Sequence, residues 1–215
     1  MQRKWVHTSA DPAKAKTLSA ELNIDPIIGN ILIQRGIETF EGARGFFRPS
    51  LESLHDPFLM KDMDLAVNRL SQALAHQEKI LIYGDYDVEG TTAVSVMYLF
   101  LKKFTQNIEF YIPDRYTEGY GISEKGINHA ASTDCHLVIA LDCGIRANKM
   151  ASLAKKLNVD LIICDHHIPG PELPDALAIL DPKRSDCPYP FKELSGCGVG
   201  FKLLQGFCLQ NTIDL

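Results

Sequence analysis

The sequence predicts an α/β fold: a parallel sheet covered by helices on both faces and preceded by a small helical N-terminal lobe. Three observations carry this. Beyond residue 78, short runs made only of apolar residues alternate with segments of helical length, the pattern of strands buried on both faces. Before residue 75, apolar residues recur at helical spacing instead. Three of the apolar runs end directly in acids or histidines, the place where ligands gather beyond the carboxyl ends of parallel strands. The lobe is expected to occupy 1–75 and the sheet domain 76–215.

In the lobe, Asp11-Pro12 opens a helix that runs to about Asn23, with an acid to accept from free N–H groups and a proline suited to the first helical position. Residues 26–34 form an apolar run of helical length, and Thr39 caps a short helix that holds Phe40, Glu41 and Ala43. Over 62–76, Met63, Ala66, Leu70 and Ala73 or Leu74 lie along one helical face. None of these segments carries chemistry, so the lobe reads as scaffold. In the sheet domain, strands are expected at 80–83, 108–112, 137–141, 161–164 and 176–180. Helices are expected at 92–103, at about 146–157 and after Gly200.

At 215 residues the chain can bury one sizeable core and a small lobe. Its 46% hydrophobic and 23% charged residues are ordinary for a soluble globular protein and exclude a disordered class. No apolar run approaches the roughly 20 residues of a membrane span, and Met1-Gln2-Arg3-Lys4-Trp5 lacks the apolar core of a signal peptide. A cytoplasmic location and no membrane partner are expected. The net charge of −5 does not announce a nucleic-acid partner, although metal-binding carboxylates would add negative charge that bound ions offset. Cys135, Cys143, Cys164, Cys187, Cys197 and Cys208 form no C-x-x-C pair, so they read as reduced thiols, and a zinc site would lack its usual paired spacing.

The chemistry sits in three turns. The first strand runs into Gly84-Asp85-Tyr86-Asp87-Val88-Glu89-Gly90. Acids at alternate positions suit hard cations, but a solvated acidic turn that caps the next helix fits this stretch equally well. The second turn is Leu141-Asp142-Cys143-Gly144, in which Asp142 either projects from the sheet edge or caps a helix. The third is Cys164-Asp165-His166-His167, imidazoles beside carboxylates, a donor mixture that suits Mn²⁺ more than Ca²⁺. Parallel strands place all three turns on one edge, where they can collect ligands around one or two ions. Two ions can activate a water and stabilise the leaving oxygen of an in-line phosphoryl displacement.

Asp165-His166-His167 resembles the triplet that marks the DHH phosphoesterase superfamily, and the other two turns resemble its first and second motifs. Further stretches resemble its RecJ-like branch of single-stranded-DNA-specific 5′→3′ exonucleases. They are Ile112-Pro113-Asp114-Arg115, Glu118-Gly119-Tyr120-Gly121, Asp181-Pro182-Lys183-Arg184, Tyr189-Pro190-Phe191-Lys192-Glu193-Leu194 and the run from Gly196 to Lys202, with Asp56-Pro57-Phe58 ahead of the sheet. The resemblance implies that Asp87, Glu89, Asp142 and His166 hold Mn²⁺ or Mg²⁺ in a two-ion site. It implies that His167 touches the scissile phosphate or completes the shell, and that Asp85 and Asp165 orient the ligands. Arg115 is then a fork for a phosphate, or else a surface partner of Glu118. Gly198, in its glycine run, either turns a backbone N–H to a phosphate or serves a tight packing turn.

The substrate implied is single-stranded DNA, hydrolysed from the 5′ end in DNA repair and recombination, with other DNA-repair proteins as partners. Two rivals share these motifs: a DHH enzyme for short oligonucleotides or nucleotide phosphates, and a non-catalytic binding module derived from one. The chain departs from the family pattern at Glu89, where an Asp is usual, one methylene shorter. It also ends at Asp214-Leu215, ahead of the fourth motif and the C-terminal substrate-binding domain, so the sheet domain is expected to be truncated.

Overall fold

The computed structural model describes residues 4, 6 and 10–214; the residues at the extreme N-terminus on which the signal-peptide reading rests fall largely outside them. Two compact units are present, Met1–Leu54 and His55–Leu215. Among the described residues, no helix is long and apolar enough to cross a membrane.

The first unit holds α1 (Pro12–Leu22), α2 (Pro26–Gln34) and α3 (Phe40–Phe47). Each begins as the sequence dictates. Asp11 accepts from the N–H groups of Ala13 and Lys14, Asp25 from that of Ile27, and Thr39 from that of Gly42. Ala15, Leu18, Leu32, Ile33 and Ala43 form its core.

The second unit runs α4 (Met63–Ala75), β1 (Lys79–Gly84), α5 (Val88–Leu101), β2 (Ile108–Tyr111), α6 (Glu124–Ser132), β3 (Cys135–Leu141), α7 (Asn148–Lys156), β4 (Asp160–Cys164), β5 (Ala178–Leu180) and α8 (Gly196–Asn211). The sheet order is β2-β1-β3-β4-β5, and all four pairings are parallel. Successive residues of a strand point to opposite faces, and here both faces are covered. Ile80, Ile82, Ile139 and Leu141 pack beneath α4, α5 and α8, while Leu81, Tyr83, Val138 and Ala140 pack beneath α6 and α7. That is why the strands read as unbroken apolar runs. After β2 the chain crosses back to lay β3 on the other side of β1. The reversal opens a crevice between the carboxyl ends of β1 and β3.

Several boundaries differ from the sequence reading. The second unit begins at His55, not at residue 76, because α4 covers the sheet: Met63, Ala66, Val67, Leu70 and Ala73 are fully buried in the same cluster as Ile80 and Leu180. Helix α5 starts at Val88 rather than at residue 92, since the Asp87 carboxylate caps it by accepting from the Gly90 N–H at 2.9 Å. Helix α8 starts at Gly196, so the glycine run is the helix itself and does not precede it. Ser195 caps it, and Gly196 and Gly200 let it approach Asp142 and Leu141. Helix α6 was not anticipated; Ile127 and Ala130 are its only fully buried apolar side chains, too few to show a period.

Candidate metal centre

The site is built where β1, β3 and β4 end. Asp142 follows β3 in the left-handed region, at φ 61°, while its N–H still donates to the Cys164 carbonyl at 2.8 Å. Asp165 follows β4 and is 1% exposed. One of its oxygens accepts from the Ile145 N–H at 2.9 Å; the other accepts from the His166 N–H at 2.7 Å and lies 2.7 Å from His167 Nδ1. A carboxylate there makes Nδ1 the protonated nitrogen of His167 and leaves Nε2 with its lone pair. Asp165 therefore ties the turn after β3 to the histidine pair and fixes their presentation.

His166 Nε2 lies 3.2 Å from Asp142 Oδ1 and 3.4 Å from Glu89 Oε1. The same Glu89 oxygen accepts the N–H of Gly196 at the start of α8. Ligand atoms of Asp142, His166 and His167 all lie within 4.8 Å of one another. Burial pushes the Asp142 carboxyl up to about 7, and the negative charges of Glu89, Asp87 and Asp165 add to the shift. Asp85 is also raised, first by burial and then by Asp87. Asp142 Oδ1 and Asp85 Oδ1 are buried and accept no hydrogen bond. Orphaned carboxylate oxygens beside imidazole nitrogens are what a divalent cation would neutralise, and this donor mixture fits Mn²⁺ or Mg²⁺.

The structure thus brings together Glu89, Asp142, His166 and His167. Asp87 stands apart as the exposed cap of α5, although its charge reaches Asp142. Asp85 lies buried under that turn, and Gly90 packs so closely on its backbone that a Cβ would fall 2.5 Å from the Asp85 carbonyl oxygen. Arg115 does not pair with Glu118. Glu118 accepts from Ser123 Oγ at 2.6 Å and Tyr111 OH at 2.8 Å, whereas the Arg115 guanidinium lies 5.3 Å over the Tyr86 ring. Gly198 is not a free donor, because its N–H is taken by Ser195 Oγ at 3.0 Å.

Two residues of the edge lie in stretches that carry the resemblance but received no role from the sequence. Tyr120, whose hydroxyl lies 3.3 Å from His167 Nε2, stands between Gly119 and Gly121, both at positive φ. An aromatic residue between two glycines was the available signal. Asp181 follows β5 just as Asp165 follows β4. It is fully buried, one of its oxygens is unpartnered, and burial raises it to about 7.

Comparison with known proteins adds a family. Residues 79–214 match the DHH family, N-terminal domain. The chain is 47% identical over 200 residues to the single-stranded-DNA-specific exonuclease RecJ of Bacillus subtilis, covering 93% of this chain and 25% of that protein. It is 33% identical to the RecJ of Salmonella typhimurium, covering 94% and 34%. The chain thus spans roughly a quarter to a third of the length of these relatives. A crystal structure of exonuclease RecJ bound to manganese superposes with a TM-score of 0.66 at 28% identity, over 72% of this chain and 39% of that one. RecJ from Thermus thermophilus, in complex with Mn²⁺, shares the fold with a TM-score of 0.76 at 23% identity, over 96% and 29%. With the sheet order, the Asp-His-His turn after β4 and a domain match over most of the second unit, the chain belongs to the DHH family.

Proposed function

We propose that the protein is a metal-dependent nuclease that hydrolyses phosphodiester bonds of single-stranded DNA from the 5′ end, in DNA repair and recombination. The observation that carries this reading is the convergence of Glu89, Asp142, His166 and His167 at one sheet edge, around a buried Asp142 oxygen that accepts no hydrogen bond. Its likeness to relatives named as single-stranded-DNA-specific exonucleases supplies the substrate. These four residues would hold Mn²⁺ or Mg²⁺, and Asp87, whose charge acts on Asp142 from the start of α5, would turn from its capping role to a second ion. When bound, the metal supplies a lowered water pKa and a Lewis acid for the phosphoryl oxygens.

The remaining work falls to the chain itself. Asp165 holds His167 in one tautomer, so that a lone pair always faces the site. Tyr120 OH, beside that lone pair, can donate to a phosphate oxygen. Arg115, exposed and stacked on Tyr86, offers its fork to a phosphate at the rim. A cytoplasmic location and association with other DNA-repair proteins belong to the same reading.

A chimera tests it, with these residues replacing the matching segment of the Bacillus subtilis enzyme. With Mn²⁺ it is expected to shorten labelled single-stranded DNA from the 5′ end and to leave duplex intact, and Asp142→Ala is expected to abolish this. A folded chimera that spares single strands, or that degrades duplex equally well, would overturn the assignment.

A further inference from the structure

The loop of residues 112–123 joins β2 to α6 and carries Tyr120 to His167. Gly119 and Gly121 flank that tyrosine at φ 80° and 88°, and glycine adds freedom there with no side chain to pack. Tyr120 is itself 58% exposed, so burial does not hold it. What holds it stands on either side. After it, Tyr83 OH donates to the Gly121 carbonyl at 2.9 Å and accepts the Ser123 N–H at 3.0 Å. Before it comes Glu118, whose side chain is only 5% exposed. Glu118 Oε2 accepts from Ser123 Oγ at 2.6 Å and from Tyr111 OH at 2.8 Å. Its Oε1 accepts from the Asp114 N–H at 3.0 Å, with the exposed Lys125 ammonium 3.4 Å away. These partners span the loop. Tyr111 ends β2, Asp114 lies near the loop's start, and Ser123 closes it, its Oγ also accepting the Gly126 N–H in the first turn of α6. Tyr83 and Tyr111 are register partners whose rings stack at 5.5 Å, so both anchors rise from one pair of strands.

We infer that Glu118 is a positioning residue for the nuclease reaction: by tying Tyr111, Asp114 and Ser123 together it holds the Tyr120 hydroxyl at His167. A carboxylate only accepts, so one buried group serves three donors at once, whereas a carboxamide keeps a single oxygen for them. Between two glycines, loss of that tie frees Tyr120 to move, and a group that must meet a phosphate oxygen tolerates little displacement. The inference rests on the nuclease reading for the work that Tyr120 does.

The test has two arms. The first follows amide hydrogen exchange in the 215-residue chain, in EDTA and without DNA. Glu118→Ala is expected to speed exchange at Asp114 and Ser123 about tenfold, while the amides of β1 and β3 keep the parent's rates. The second measures cutting of single-stranded DNA by the chimera with Mn²⁺. Glu118→Ala is expected to lower kcat about tenfold and to leave the Mn²⁺ requirement unchanged, because Glu89, Asp142 and His166 lie outside the loop. Tyr120→Phe should lower kcat by a similar factor. In that background Glu118→Ala should cost no more than about twofold further, as one residue acting through another does. Equal losses in both backgrounds are what a merely structural role gives, and they overturn the positioning. Unchanged exchange at Asp114 and Ser123 overturns it too. Should Glu118→Ala not fold, the isosteric Glu118→Gln takes its place in both arms, with losses of about threefold. If the parent chimera fails to cut while exchange behaves as described, the nuclease reading falls and the hold of Glu118 on the loop stands. If the parent chimera cuts and the folded Glu118 variants cut equally well, the positioning falls alone.

Discussion

At the scale of single residues, Asp142 decides how the centre responds to pH and to metal. Its carboxyl is held near 7 in the folded chain, above the ordinary 3.8, by burial and by neighbouring acids. A raised acid keeps its proton in the folded state through that interval. The metal-free chain is therefore most stable with respect to this group below about pH 4, and it loses stability as pH rises towards 7. Metal affinity runs the other way, since the ligand must be deprotonated. Asp142→Asn removes the buried charge, so at pH 8 the metal-free variant should gain on the order of 2 kcal/mol while Mn²⁺ no longer stabilises it. Urea unfolding with and without Mn²⁺ measures both; a metal-free variant less stable than the parent at pH 8 would contradict the assignment. Glu89 shows what its extra methylene does: it reaches the Gly196 N–H as well as His166. Glu89→Asp should withdraw from that N–H and cost about 1–2 kcal/mol, read in the same unfolding series. Such a link between α5 and α8 has no signature in a motif, because its partner lies more than a hundred residues away.

At the scale of elements, the start of α8 carries the contrast between packing and ligand-binding glycines. A Cβ on Gly196 would fall 2.2 Å from Asp142 Oδ1, against a carboxylate that cannot retreat, whereas one on Gly198 would make ordinary contacts from 3.4 Å outward. Gly196→Ala should therefore destabilise by about 1–3 kcal/mol through overpacking. Gly198→Ala should be neutral or gain up to about 1 kcal/mol of helix propensity. Thermal melts of the two variants compare them directly, and a Gly198→Ala variant that is the worse of the pair would restore a special backbone role to that position. The helix starts were legible wherever a side chain announced them, as at Asp11 and Thr39. At Asp87 the start of α5 was not legible, because one carboxylate can serve as a cap or as a metal ligand, and the two uses share a sequence pattern.

At the scale of the molecule, α4 belongs to the sheet. A chain starting at His55 should fold cooperatively, whereas one starting at residue 76 would expose the face covered by Met63, Ala66, Val67, Leu70 and Ala73. Each large buried side chain is worth about 1.5–3 kcal/mol, and a domain's net stability is only about 5–15 kcal/mol. Circular dichroism under urea should show one sharp transition for the longer piece and none for the shorter; equal transitions would put α4 outside the core. The sequence by itself determined the strands, the parallel class and the acids and histidines that end β1, β3 and β4, because an apolar run and the residue after it are neighbours in the chain. Only the tertiary structure decided that β3 lies beside β1, that Glu89 and His166 meet at Asp142, that Arg115 rests on Tyr86, and that Tyr120 stands at His167. Those facts depend on which strand crosses over which and how closely two helices approach, and such contacts are fixed by packing between segments far apart in sequence.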